Sequence, residues 1–434
     1  MSPVLVGVLG LVMVFVFLFM GVPIGFTLAF IGFLGFIVLG SLEGAVSMMA
    51  TVPYTTVAAY IFSVVPLFLL MGEYMSVSGL LHDAYRGIHT WLGRMPGGLA
   101  MATIGACAGF AACTGTSVAA IATMTRISLP EMLEYKYDRG LATGTIAAGG
   151  TLGILIPPSI PLVVYGIITE TSIGGLFMAG IVPGILLAFM FMITIYIVAK
   201  RNPKAAPRGP GTTWWQRLVA IKDVWGIALV FLIVMGGIWG GIFTPTEAGS
   251  IGALGAFIFA IARKKVTRQN LFPTFLAALR TSGLGFVLVI GAFIFSYFIA
   301  VSRLPSELAA FVGGLPIPPL AIMGAIMVLY MIMGCLMDPI SLMLLTVPIL
   351  LPLIQALGFD LIWYGIMVTV MTELGLITPP IGMNVFIMAG MRRDIPMYTI
   401  FRGIFPFVVT FLAITIILLF FPQIILWLPN TMMG

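Results

Sequence analysis

The 434-residue chain is predicted to be an all-α polytopic membrane protein: an inverted-topology repeat with two re-entrant hairpins and two broken helices. Three observations predict this. The chain is 61% hydrophobic and 8% charged, too apolar for an ordinary soluble domain, and several uncharged runs reach the length of about 20 residues that spans a bilayer. The string LG-x-x-x-PP occurs twice, at 152–158 and at 374–380. The basic residues segregate to one side under a single threading of the chain.

The first apolar run, from Pro3 to Gly40, is too long for one crossing and is split near GVPIG (21–25). No basic region precedes it, so no cleavable signal peptide is expected. A third crossing covers 57–78. The amphipathic stretch 81–95 is expected at the interface. The stretch 97–125 is uncharged and interrupted by CTGTS (113–117); a charged loop, 126–139, follows. A broken crossing at about 141–170 precedes one at 176–199. A polar linker at about 201–224 joins crossings at 225–243, 246–262 and 281–300. The stretch 318–353 is uncharged except for Asp338, in GCLMDPIS (334–341). A second broken crossing, about 359–390, and a last crossing at 403–425 complete the chain.

If the segments at 97–125 and 318–353 enter and leave on one side, the loops at 80–95, 126–140, 200–224, 263–280 and 391–402 all face that side. They hold 19 of the 20 Lys and Arg, leaving only Arg303 opposite. A single crossing at either hairpin would destroy this segregation. The expectation is therefore ten crossings, two hairpins, and both termini outside.

The shift that carries Leu152 onto Leu374 superposes the two PP strings. It also brings Pro23 onto Pro245 and the CTGTS turn close to CLMDP. Residues 1–200 and 225–434 are thus two repeats. Each has five crossings, so their orientations are opposite. Such repeats, with discontinuous helices, place substrate and ion sites at the midplane of many transporters. Proline has no N–H to give, and irregular backbone is tolerated at that depth where protein or a wet cavity covers it. The freed carbonyls suit a small cation, and the half-helix starting after the break favours an anion. A proline kink without a ligand is the plain alternative for one such site.

At the first tip, Thr114, Thr116 and Ser117 offer hydroxyls beside a flexible Gly115. These oxygens suit a hard cation, although small polar residues also serve helix packing. Asp338 is an ionisable group in a membrane segment and so a candidate for cation, proton or substrate contact; it can equally cap the helix beginning at Pro339. Glu373 sits where a helix nears its break, for a structural hydrogen bond or a direct role, and Glu73 is expected to be structural. Cys107, Cys113 and Cys335 form no CxxC pair, so neither disulfides nor a metal cluster are expected. Nothing points to an enzyme or to a nucleic-acid partner. No Lys, Arg or His falls in a tip or a break, so an acidic substrate there must be met by sodium, helix N-termini and hydroxyls.

GTLGILIPPSIPLVVYG (150–166), FTPTEAG (243–249) and ELGLITPPIGMN (373–384) resemble the large membrane subunit of TRAP transporters, the DctM-like family, over essentially the whole chain. The resemblance implies an elevator-type, sodium-coupled importer of organic acids in the bacterial inner membrane. It implies two partners, a small four-helix membrane subunit and a periplasmic substrate-binding protein. It places one sodium among Thr114, Thr116, Gly153, Ile156 and Pro157. The repeat carries a second site to Gly375, Thr378 and Pro379 with Gly334, Met337 and Asp338. Substrate would lie near Thr116, Ser117, Ser159, Asp338 and Asn384. Many members have a serine-rich first tip where this chain has CTGTS. The acid, whether a C4-dicarboxylate, a keto acid or a sugar acid, stays open. So does a symporter of the same architecture that needs no binding protein and couples the anion to sodium or to protons. The loops around 41–56 and 303–318 are either docking loops or simple connectors.

Overall fold

The computed structural model describes residues 2–209 and 211–432, without the side chains at 112–114 and 268. The expectations for the Cys113 and Thr114 side chains therefore lie outside the described residues. All regular structure among the described residues is helical. The first half comprises α1 (Pro3–Phe19), α2 (Ile24–Leu39), α3 (Leu42–Ala58), α4 (Val64–Val77) and α5 (Leu80–Leu92). Then come the hairpin α6 (Gly98–Thr114) and α7 (Ser117–Glu134), the pieces α8 (Arg139–Gly150), α9 (Leu152–Leu155) and α10 (Ile160–Ile168), and α11 (Ile173–Arg201). The second half comprises α12 (Trp214–Trp239), α13 (Pro245–Ala262), α14 (Arg268–Val301) and α15 (Leu304–Gly313). It continues with the hairpin α16 (Pro319–Gly334) and α17 (Pro339–Ala356), the pieces α18 (Leu361–Leu376) and α19 (Met383–Met391), α20 (Met397–Phe420) and α21 (Gln423–Leu426).

Eight stretches among the described residues are long and apolar enough to cross a bilayer; one of them is the hairpin arm Pro339–Ala356. The helices α1 and α2, at 17 and 16 residues, fall just short. Under the shift that superposes the PP strings, α7 lands on α17 end for end, and α2 on α13 and α10 on α19 to within one position.

Several expected loops are helical. The linker is shorter than read: Thr213 and Gln216 cap each other's backbone N–H groups, at 3.3 and 2.8 Å, and start α12 at Trp214. The loop 263–280 is mostly the first turns of α14, where the Asn270 side chain accepts from the Thr267 N–H at 2.8 Å. The charged loop 126–139 is helix to Glu134, with Pro130 inside it. The segment 41–56 is α3, capped by Ser41, and 303–318 contains α15. Charges and prolines broke the apolar pattern at these places, but local caps and packing decided the backbone.

The amphipathic α5 is tied to its surroundings by polar contacts. Arg86 meets Asp223 at 3.3 Å, Asp83 pairs with Arg263, His89 approaches Glu131 at 3.3 Å, and the Trp91 indole N–H donates to the Arg217 carbonyl at 2.9 Å. The two halves interlock. Helix α2 packs on α14, and α13 packs on α4. Glycines allow the close approach that membrane helices use. A Cβ at Gly32 would lie 2.7 Å from the Phe295 nitrogen, and one at Gly249 would lie 3.2 Å from Leu67. Helices α8 and α20 meet at Gly140 and Gly403 with backbone against backbone.

Candidate functional site

Both hairpin tips pack against the broken helix of their own half. At the first tip Gly115 turns the chain with φ +61°, and Thr116 is extended before α7 begins at Ser117. A Cβ at Gly115 would come within 2.6 Å of the Pro158 carbonyl oxygen, and one at Gly153 would come within 2.8 Å of the Thr116 carbonyl oxygen. Glycine is needed at both, by backbone conformation at the first and by space at each. The break itself is Ile156 to Ser159. Pro157 and Pro158 offer no N–H to the carbonyls four residues earlier, Gly153 and Ile154, so the helix stops there. Ser159 restarts it by accepting from the Leu162 N–H at 3.5 Å. The predicted Thr116, Gly153, Ile156, Pro157 and Ser159 thus come together where tip and break meet.

The second tip follows the same plan with different detail. A Cβ at Gly375 would lie 2.7 Å from the Gly334 carbonyl carbon, and the Cys335 thiol donates to the Pro379 carbonyl at 3.7 Å. The Pro379–Pro380 bond is cis, as is Pro157–Pro158. Thr378 is engaged within the chain: its hydroxyl donates to the Leu374 carbonyl at 2.6 Å and its N–H to the Gly375 carbonyl at 3.0 Å. Asp338 caps α17, accepting from the Ser341 N–H at 3.0 Å and from the Ser341 hydroxyl. Met337 is 9% exposed.

Ser117 joins the two halves. Its hydroxyl lies 3.1 and 3.0 Å from the two carboxyl oxygens of Glu373, a side chain with no exposed surface. A bond between residues 256 apart is invisible to local pattern. The only sequence signal was an ionisable residue at membrane depth. Asn384 is also enclosed; its amide N–H donates to the Ala147 carbonyl at 3.5 Å, and its Oδ1 has no partner among the described residues.

Three spaces follow one another along α14. The first is a cavity of about 500 Å³ between α4, α7 and Thr281 of α14, lined by Glu73, Ser76, Thr116 and Thr123 among others. Glu73, whose sequence context suggests only a structural role, stands on this wall. Next comes a tight contact in which Phe62, Val65, Ile160, Val164, Phe286 and Ile340 leave only about 20 Å³. Phe62 stands edge-on to Phe286 and Phe293, with centroids 6.2 Å away in each case. The third is a cavity of about 180 Å³ reached by Ser296 of α14 and by Leu344 and Pro348 of α17. From Thr281 to Ser296 the helix rises about 22 Å. Two polar-edged cavities are therefore separated by an apolar plug.

Residues 11–424 match the family described as "Tripartite ATP-independent periplasmic transporter, DctM component". The C4-dicarboxylate TRAP transporter large permease protein DctM of Pseudomonas aeruginosa is 34% identical over 388 residues, 89% of this chain and 90% of that protein. The sialic acid TRAP transporter large permease protein SiaM of Vibrio cholerae is 31% identical, over 96% of this chain and 97% of its own length. Among solved structures, the Alcanivorax borkumensis YdaH transporter shares the fold, with a TM-score of 0.63 at 15% identity over 88% of this chain and 89% of that one.

Proposed function

We propose that this chain, which belongs to the DctM family of large TRAP transporter permeases, imports a small organic acid by sodium symport with an elevator motion. The observation that carries the reading is the apolar plug between two unequal cavities along α14. A solute can reach the midplane from one side at a time if the tips and breaks move as a body past α4 and α14. The two halves are inverted repeats, 1–200 and 225–434. With the basic loops cytoplasmic, the larger cavity opens inward and both termini are periplasmic.

Sodium travels as cargo. The first ion lies at the meeting of Thr116, Gly153, Ile156 and Pro157, and the second at Gly334, Met337, Asp338, Gly375, Thr378 and Pro379. Hydroxyl and carbonyl oxygens are suitable ligands. The substrate carboxylate is met by these ions and by the hydroxyls of Thr116, Ser117 and Ser159, with Asp338 and Asn384 near. Because the site supplies no fixed cation, substrate affinity depends on bound sodium, and that dependence is the coupling. The large-permease role implies a periplasmic binding protein to deliver the acid and a small membrane subunit beside this chain, in the bacterial inner membrane.

Proteoliposomes holding this chain and its small subunit test the reading. Uptake should require both the binding protein and an inward sodium gradient, and should run uphill. Uptake unchanged without sodium, or without the binding protein, would overturn it; the second result favours a symporter that works alone.

A further inference from the structure

Among the described residues, the larger cavity carries one charged side chain. Glu73 stands half-buried on α4, and the polar side chains that share its lining are the hydroxyls of Ser76, Thr116, Thr123 and Thr281. No described lysine, arginine or histidine lines the space to compensate the Glu73 carboxylate. The repeat does not demand an acid here: the shift between the halves carries Glu73 onto Phe295 of α14, which is 1% exposed. A volume of about 500 Å³ suits a small molecule.

A dicarboxylate bound at the first tip would turn its second carboxylate into this cavity. It would face Glu73 with no cation between, and like charges brought together in a poorly solvated cleft disfavour binding. A hydroxyl or ammonium at that end would instead donate to a charged acceptor, the stronger kind of hydrogen bond. We propose that Glu73 selects the cargo: an acid with one carboxylate, held at the first tip, and a hydrogen-bond donor at its other end. Glu73 is then a specificity residue on the wall that faces the moving hairpin. This inference rests on the importer reading for the location of the substrate, but it concerns binding and needs no gradient.

The test uses the full chain, purified in detergent with sodium, and three probes of one length: succinate, 4-hydroxybutyrate and 4-aminobutyrate. Ligand-induced thermal stabilisation is titrated for each. The hydroxy or amino acid should bind about tenfold or more tighter than succinate, and the order of these two tells hydroxyl from ammonium. Glu73→Gln should narrow the gap, while Glu73→Asp, which keeps the charge, should preserve it. The inference is overturned if succinate binds as well as the others, if none of the three binds, or if the gap survives in Glu73→Gln. Loss of sodium-driven uptake would instead sink the importer reading and leave this binding order intact, so the two failures are distinguishable.

Discussion

The two cavities come from equivalent parts of the chain and differ in size and chemistry. Helices α4 and α7 line the first, of about 500 Å³; their repeat counterparts, α14 and α17, line the second, of about 180 Å³. Glu73 and Ser76 line the first, but their counterparts Phe295 and Phe298 are buried aromatics packed on Gly32 and Gly35 of α2, and the α14 wall of the second is Ala292, Phe293 and Ser296. Duplication thus supplied the geometry twice, while substitution left a carboxyl group on the wall of one copy and none on the other. On the importer reading, part of the difference is a state of the molecule and reverses during transport. The chemical part does not.

The largest effect is expected at the tips. Gly115→Val places a β-branched residue at φ +61° with its Cβ against the Pro158 oxygen. Left-handed backbone alone costs about 1–2 kcal/mol, so the initial uptake rate at matched expression should fall at least about tenfold. Gly334→Val meets only the crowding, with a Cβ 2.8 Å from the Thr372 oxygen, and should lose less. Equal losses would break the distinction between the tips.

Cysteine accessibility probes the cavities directly. In inside-out vesicles, Thr123→Cys should react with an impermeant maleimide on the order of tenfold faster than Ser296→Cys, since access controls the rate. Similar rates would mean that the unequal volumes do not describe the resting molecule.

A smaller effect sharpens the link between halves. Ser117→Ala removes the hydroxyl donor to an enclosed carboxyl group and should cost about 1–3 kcal/mol, seen as a lowered melting temperature in detergent. Glu373→Gln retains donor and acceptor capacity toward Ser117 and should cost less. The reverse order would show that the bond contributes little.

The smallest effect is a surface reference. Arg392 grips Asp394 through two contacts of 2.8 Å and holds its carboxyl at about 2. The folded value lies below the ordinary aspartate value of about 3.9. Its contribution is therefore complete above that ordinary value and is lost only as pH falls toward 2. Because the group is exposed, Asp394→Asn should leave the melting temperature unresolved from wild type between about pH 6 and 8 at about physiological salt.

Much of the frame was legible because it is periodic or repeated. The twin PP strings predicted two breaks, and a polar turn inside a greasy run predicted each tip. The long α14 was hidden because Arg268 and Arg280 lie in a stretch read as loop, although its first turn carries its own cap. The helix α3 was hidden because Glu43 and several hydroxyls dilute its apolar pattern. Tertiary pairings were out of reach. Glu73 looked structural because nothing local places it across from Thr116, and Glu373 showed no sign of choosing Ser117. Such choices are made by helices distant in sequence, where a periodic signal carries no information.

The crosswise seating of α2 on α14 and of α13 on α4 bears on how the protein is made. A ribosome that has just finished α12 has released α2 and α4 into the bilayer without the α14 and α13 surfaces they pack on, the glycines of α2 and the α4 side chains that meet Gly249 and Gly252 still uncovered. Neither gains its largest contact until α13 and α14 emerge. The first half can pack its own hairpin and broken helix, but α2 and α4 wait for the second, so a chain truncated between the repeats should lack the contacts that hold these two helices in place.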